Sequence, residues 1–395
     1  MRRIAFFTLW LFVFTIPWQN CLSLEAVGTV SQLAGIVAFL VAMFHCLSAG
    51  RLRRPGRILL LMGIFASYAL LSAGWSLDPD ATVSKAATIA QLVAMFWIIS
   101  ELVADDNDAQ NLLAAYVAGS TVNVIAAFAQ FASGNAGQDL RYAAAGFNPN
   151  DDAITLALAI PMSCFLLARA RTLRAKALFV AFLTMAPMAI ALSGSRTGVL
   201  AGCVAFAVSS LGMYRMRWSR RVMLVVALAV CVWCLASLVP ETSWARISTI
   251  SQQVDSGDLN QRTAIWAAGL KEFATHPVLG AGEGAYQQVS GRYLGEAFVA
   301  HNTFVSVLVE LGIIGFLLFS AILISAARSL WRLDGHDRLM WAAIAVTWFV
   351  GVMASTWETQ KPTWLLIALV STASRVRFEQ NSTNEALDMG YEFSS

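Results

Sequence analysis

The sequence predicts an all-α integral membrane protein of about twelve transmembrane helices with one large outer loop. Of its 395 residues, 58% are hydrophobic and only 13% charged, and the mean hydropathy is +0.64; soluble chains average about 25% charged residues. The apolar residues fall into runs close to the roughly 20 residues that a membrane helix needs. The positive charges gather on alternate connections between these runs. A formal charge of +3 gives no electrostatic footprint for nucleic acid. Membrane lipids, not nucleic acid, are the expected surroundings.

In chain order the runs lie near residues 4–20, 24–48, 58–74, 86–103, 111–131, 153–168, 177–193, 198–213, 222–239, 302–326, 339–356 and 363–375. The first follows Arg2 and Arg3 as a signal peptide would, but no A-x-A cleavage site comes after it, so an uncleaved helix is expected. With the N-terminus inside and strict alternation, inner segments hold 19 of the 27 Lys and Arg, including Arg53, Arg54, Arg57, Arg169, Arg328, Arg332, Arg375 and Arg377. That bias places both termini in the cytoplasm. Residues 104–111 (ADDNDAQN) dissent, being acidic on an inner connection, but acids contribute little to orientation. The organisation is therefore nine helices over 1–239, an outer loop over 240–300, three helices over 301–375 and a polar, disordered tail over 376–395.

Eight cations remain outside: Lys85, Arg141, Arg196, Arg246, Arg262, Lys271, Arg292 and Lys361. The topology rule does not account for them. Several lie in the 61-residue loop Pro240–Ala300, and loops of that length inside compact proteins are functional or disordered. Asn260–Phe273 within it reads as an amphipathic helix with Asn260 at the N-cap and Ile265, Trp266, Ala268, Gly269, Leu270 and Phe273 on its apolar side, lying on the bilayer or on the bundle. Pro277 ends it. Gly280, Gly282 and Gly284 follow as G-A-G-E-G, which lacks dinucleotide-binding spacing and reads as a tight turn.

Ser193-Gly194-Ser195-Arg196-Thr197-Gly198 joins two apolar runs with almost no spare residues and puts Arg196 at the outer surface. A cation there either reaches lipid headgroups or a helix end, or it meets an anion. His301 opens the tenth run. At about 100° per residue, Gly312 and Gly315 fall within roughly 40° of its face, so that it caps a closely packed seam, while Glu310 sits about 13 Å deeper on the opposite face and reads as a buried hydrogen-bonding group. Arg141 and Phe147-Asn148-Pro149-Asn150-Asp151-Asp152 add polar outer features, the latter a turn and helix start. Trp18, Trp75, Trp244 and Trp357 read as an interfacial belt. The six cysteines, Cys231 and Cys234 included, sit almost entirely within apolar runs and imply no disulfide framework; the four histidines show no metal-ligand spacing.

Taken together, the Ser193–Gly198 segment, Asn260-Gln261-Arg262 with Trp266, His276-Pro277-Val278-Leu279-Gly280-Ala281-Gly282, and His301-Asn302 followed by Glu310-Leu311-Gly312-Ile313-Ile314-Gly315 resemble the bacterial O-antigen ligase and polymerase family. Asn148-Pro149-Asn150 fits as well. The resemblance implies a C-type glycosyltransferase (GT-C) fold in the bacterial inner membrane with a periplasmic active site. It also implies an inverting, metal-independent transfer that uses no cofactor. The donor would be an undecaprenyl-diphosphate-linked glycan and the acceptor the lipid A-core oligosaccharide, as in an O-antigen ligase. A second carrier-linked glycan would make it a polymerase, and an exported protein would make it a protein O-glycosyltransferase. A lipid-linked glycan transporter is disfavoured by the absence of an internal repeat. By motif match, Arg196 and Arg262 would grip the diphosphate and His301 would activate the acceptor. Arg141, Asn150 and Asn302 would complete the substrate site.

Overall fold

The computed structural model describes residues 1–24, 28–50, 52–135, 141–211, 218–249 and 261–388. They form an all-α membrane protein. The helices are α1 (Arg2–Thr15), α2 (Val30–Ala49), α3 (Arg57–Leu71), α4 (Pro79–Leu102), α5 (Asp106–Ala132), α6 (Pro149–Arg169), α7 (Leu173–Leu192), α8 (Arg196–Ser210), α9 (Trp218–Leu238), α10 (Glu241–Ser248), α11 (Arg262–Thr275), α12 (Tyr286–Leu294), α13 (Thr303–Trp331), α14 (Gly335–Val352) and α15 (Lys361–Asp388). Every apolar run coincides with a helix. Among the described residues seven helices are long and apolar enough to cross a membrane, and Arg196–Ser210 is a shorter apolar helix. Helices α10, α11 and α12 belong to the 240–300 stretch expected to be the outer loop.

Local chemistry sets the helix starts. Asp78, Asp105, Asn148, Thr172, Ser195 and Asn302 each accept a hydrogen bond from a first-turn backbone amide, and Pro79 and Pro149 open their helices without needing a donor. The run expected from residue 24 begins later, at Val30. A two-residue hairpin, Ser23–Leu24 with Gly28–Thr29, comes first, and Thr29 and Gln32 close a capping box. Helix α6 lies at the centre, packed by α5, α7, α8 and α14 and buried along most of its length. The cysteines with described side chains, Cys21, Cys46, Cys164 and Cys203, are free thiols.

At one end of the bundle Arg2 pairs with Asp108, Arg169 with Asp337 at 2.7 Å, and Arg377 with Asp337 at 2.8 Å and Asp106 at 3.6 Å. These pairs explain the acidic connection 104–111, whose aspartates neutralise arginines on its own side. Arg2 and Arg377 thus lie at that same face. Of the disordered tail expected over 376–395, residues 389–395 lie outside the described residues, and the part before them is not irregular. It continues α15 to Asp388, anchored by Arg377.

Helix α13 also departs from its expected phase. Gly312 takes φ 63°, ψ −166° and breaks the helix. Loop 277–284 enters the break: Ile313 N donates to Pro277 O at 2.9 Å, Ala281 N to Val309 O at 3.0 Å and Gly282 N to Glu310 O at 2.8 Å. Backbone groups freed by the break thus gain partners, as a low-dielectric surrounding demands. The neighbour that Gly312 admits is this loop and not another helix, because a Cβ there would lie 2.3 Å from Val278 O.

Candidate active site

The end of the bundle away from the Asp–Arg pairs carries the cations expected outside, and the structure sorts them. Lys85 Nζ lies 3.0 Å from Glu310, 3.3 Å from Glu358 and 3.7 Å from Glu283. Arg292 pairs with buried Glu272 at 3.3 Å, and Lys361 donates to Gln19 and Ser31 at 2.7 and 3.2 Å. These three serve the scaffold. Arg141, Arg196, Arg246 and Arg262 instead converge around the Ser193–Gly198 turn and His301.

The turn is built to present Arg196. Gly194 adopts φ 58°, and a Cβ on Gly198 would lie 2.3 Å from Ala153 Cβ, so α8 packs hard against α6. Ser195 caps α8 through the Gly198 amide at 3.1 Å and donates to Asn150 Oδ1 at 2.9 Å. Arg141 donates from Nη2 to the same oxygen at 2.8 Å and from Nε to Ser193 O at 2.7 Å. Arg141 and Asn150 therefore buttress the turn. Arg246 passes over Gly194, its Cδ 3.5 Å from where a Cβ would stand. Arg196 feels the charge of Arg246, and its Nη1 is buried without a hydrogen-bond partner among the described residues. A buried guanidinium nitrogen in that condition suits an anion.

Arg262 opens α11 just after Gln261, which holds φ 65°; the expected N-cap, Asn260, lies outside the described residues. Ile265, Ala268 and Gly269 are buried as expected. Leu270 is exposed, and Glu272 takes an inward position, where it holds His276, Arg292 and Tyr293. The helix lies on the bundle in a cluster with Ala281, Tyr286, Val289 and Val309. Trp266 Nε1 donates to Ala300 O at 2.8 Å, which brings α11 beside His301. Burial and the charge of Arg196 both lower the Arg262 pKa. Among the described residues no carboxylate pairs with Arg262, and a polyanion would relieve that crowding of like charge.

His301 has φ 49° and is half-buried. Burial lowers its pKa, the charge of Arg262 lowers it further, and Asp151 opposes them. Burial and Arg262 thus favour the neutral ring, the form that a proton acceptor needs. Asn302, expected in the substrate site, is buried, caps α13 through the Phe304 and Val305 amides at 3.0 Å each and donates to Met353 O at 3.1 Å. It positions His301 through the backbone. Asp151, which in sequence reads as part of a turn and helix start, accepts from Ser355 Oγ at 2.7 Å and Trp357 Nε1 at 2.8 Å. Trp357 is buried and so is not part of an interfacial belt.

Beneath the loop, Glu310 accepts the Gly284 and Tyr286 amides at 3.0 and 3.1 Å while facing Lys85, and Glu358 accepts from Ser306 at 3.2 Å. Burial raises the Glu283 and Glu358 carboxyls against the pull of Lys85. Oxygens of Glu283, Glu310 and Glu358 lie within 4.8 Å of one another, a spacing that could hold a cation, and the Lys85 ammonium already stands among them. These four residues, scattered over 273 positions of chain, fasten the loop across α4, α13 and the turn before α15. No periodic or motif signal in the sequence connects them.

Residues 179–320 match the family model described as O-Antigen ligase. The matched stretch runs from α7 into α13 and contains Arg196, Arg262 and His301, whereas Arg141, Asn150 and Asp151 precede it. No curated protein matches the chain.

Proposed function

We propose, from the O-antigen ligase family match over residues 179–320, that the protein is a glycosyltransferase that moves a glycan from undecaprenyl diphosphate to the lipid A-core oligosaccharide at the periplasmic face of the inner membrane. The observation that carries this reading is the meeting of Arg196, Arg262 and His301 at one end of the bundle, with Arg196 Nη1 buried and lacking a hydrogen-bond partner among the described residues. His301 takes the proton of the acceptor hydroxyl as its oxygen attacks the anomeric carbon. The bond from that carbon to the diphosphate oxygen breaks, with inversion, and the electron pair leaves on the diphosphate. Arg196 and Arg262 offset that charge as it grows, the form of stabilisation that most lowers such barriers. Guanidinium forks take the place that a divalent metal holds in other phosphate chemistry. Arg141, Asn150 and Arg246 keep the turn that carries Arg196.

Reconstitution of the purified chain with an undecaprenyl-diphosphate-linked glycan, with and without lipid A-core, tests the reading. Transfer to lipid A-core supports a ligase. Longer carrier-linked chains in the absence of core would show a polymerase, and no transfer to any hydroxyl acceptor would overturn the assignment. His301→Ala should lower turnover by about 10²–10⁴-fold, and Arg196→Ala or Arg262→Ala by about 10²–10³-fold, with membrane insertion unchanged.

A further inference from the structure

The opposite end of the bundle holds a second concentration of guanidinium groups that the transfer reaction does not use. A cavity of about 340 Å³ is lined there by Arg53, Arg54, Arg57, Arg328, Arg332 and Arg375. It lies where α3 begins and where α4 and α13 end, roughly 35–40 Å of helix rise from His301. A general excess of arginine on one face follows from topology alone, but that rule does not gather them round one concavity. Elsewhere on this face Arg2, Arg169 and Arg377 each meet an aspartate. Among the described residues, none of the six cavity arginines has a carboxylate within 4.0 Å. Glu101 is the one acid in the lining, and both its oxygens are turned to the Arg53 backbone amide, at 3.0 and 3.3 Å. Arg375 donates to Val103 O at 2.9 Å, which fixes its guanidinium in the lining.

The walls are not uniformly polar. Leu59, Phe96, Trp97 and Phe378 also line the cavity, and Phe378 is exposed. Cations converging at the ends of membrane helices, beside apolar and aromatic surface, match an anionic headgroup whose acyl chains continue along the bundle. A soluble phosphate would use the arginines and leave that surface idle. We propose that this cavity binds the phosphodiester headgroup of an anionic phospholipid, with room and charge for a two-phosphate headgroup.

Native mass spectrometry of the full chain, titrated in detergent with cardiolipin, phosphatidylglycerol, phosphatidylethanolamine or inorganic pyrophosphate, tests the site. The wild-type chain should retain one cardiolipin in preference to phosphatidylethanolamine. The double substitution Arg54→Gln with Arg328→Gln should weaken that binding by about tenfold or more, as loss of two lipid-facing charges requires. Arg171→Gln with Arg174→Gln removes equal charge from exposed positions outside the cavity and should leave binding intact. Equal weakening by both pairs would overturn the site in favour of diffuse attraction. Retention of pyrophosphate without retention of lipid would overturn the lipid assignment. All four positions are exposed, and a melting temperature within a few degrees of wild type verifies folding in each variant.

Discussion

Arg262 and His301 are each placed by backbone in the left-handed region, at Gln261 with φ 65° and at His301 itself with φ 49°. That conformation costs a residue with a Cβ about 1–2 kcal/mol, and such strain gathers at working sites. Because His301 must be neutral to accept a proton, activity should fall as pH drops through its lowered pKa, an acid limb below the ordinary imidazole value of about 6.5. Asp151 raises the His301 pKa. Asp151→Asn keeps acceptors for Ser355 and Trp357 but removes the charge, so the acid limb should move to lower pH with the plateau rate largely kept. A pH–rate profile of the variant checks this; an unmoved limb would show that another group titrates. Arg196, Arg262 and His301 are singled out in the sequence by motif resemblance, and the structure brings them to one end of the bundle. Asp151 and the positioning role of Asn302 were not legible there. Asp151 meets its partners across 204 and 206 positions of chain, and a helix cap looks the same in sequence whatever it positions.

Helices were legible as apolar runs because burial and lipid select the same residues along the whole length of a helix. The break in α13 was not, since one glycine in Glu310-Leu311-Gly312-Ile313 reads equally as a packing site. Its phase at 100° per residue holds only while the helix is continuous, and the loop that enters at Gly312 removes that condition. Gly312→Ala should therefore be costly, with a Cβ 2.3 Å from Val278 O at φ +63°. Strain and overpacking together predict a loss of about 2–5 kcal/mol. Gly291 in α12 has nothing within 4 Å of its Cβ position, and Gly291→Ala should be neutral or slightly stabilising. Thermal melts of the two purified variants check the contrast, and equal melting temperatures would mean that the loop does not depend on the break. Lys85→Met tests the fastening beneath it. Leaving three buried carboxylates without their cation should cost about 3–5 kcal/mol, and Glu283→Gln in the same chain should recover part of that loss.

At the scale of the whole molecule the two ends differ in how they treat charge. One end matches arginines to aspartates at Asp106, Asp108 and Asp337 and keeps six more around a cavity; the other brings Arg141 and Arg196 together with Arg246 and Arg262 of the 240–300 loop. The sequence carried this division, because the topology rule counts cations irrespective of fold, and the acidic connection 104–111 that seemed to contradict it proves to be the counter-charge of its own face. Sidedness follows. If the paired end is cytoplasmic, a cysteine at Gly291, where a Cβ has nothing within 4 Å, should react with a membrane-impermeant maleimide in intact spheroplasts, while one at exposed Arg174 should react only after lysis. Exposed Cys203 would first be replaced by serine, giving a background without that thiol. The reverse labelling pattern would put Arg196, Arg262 and His301 on the cytoplasmic side, away from a periplasmic acceptor, and the proposed transfer would fail whatever the chemistry of the three side chains. Protection of both positions would instead mean that the outer loop is buried against the membrane or against a second protein, a condition that detergent extraction before labelling would reverse for position 291.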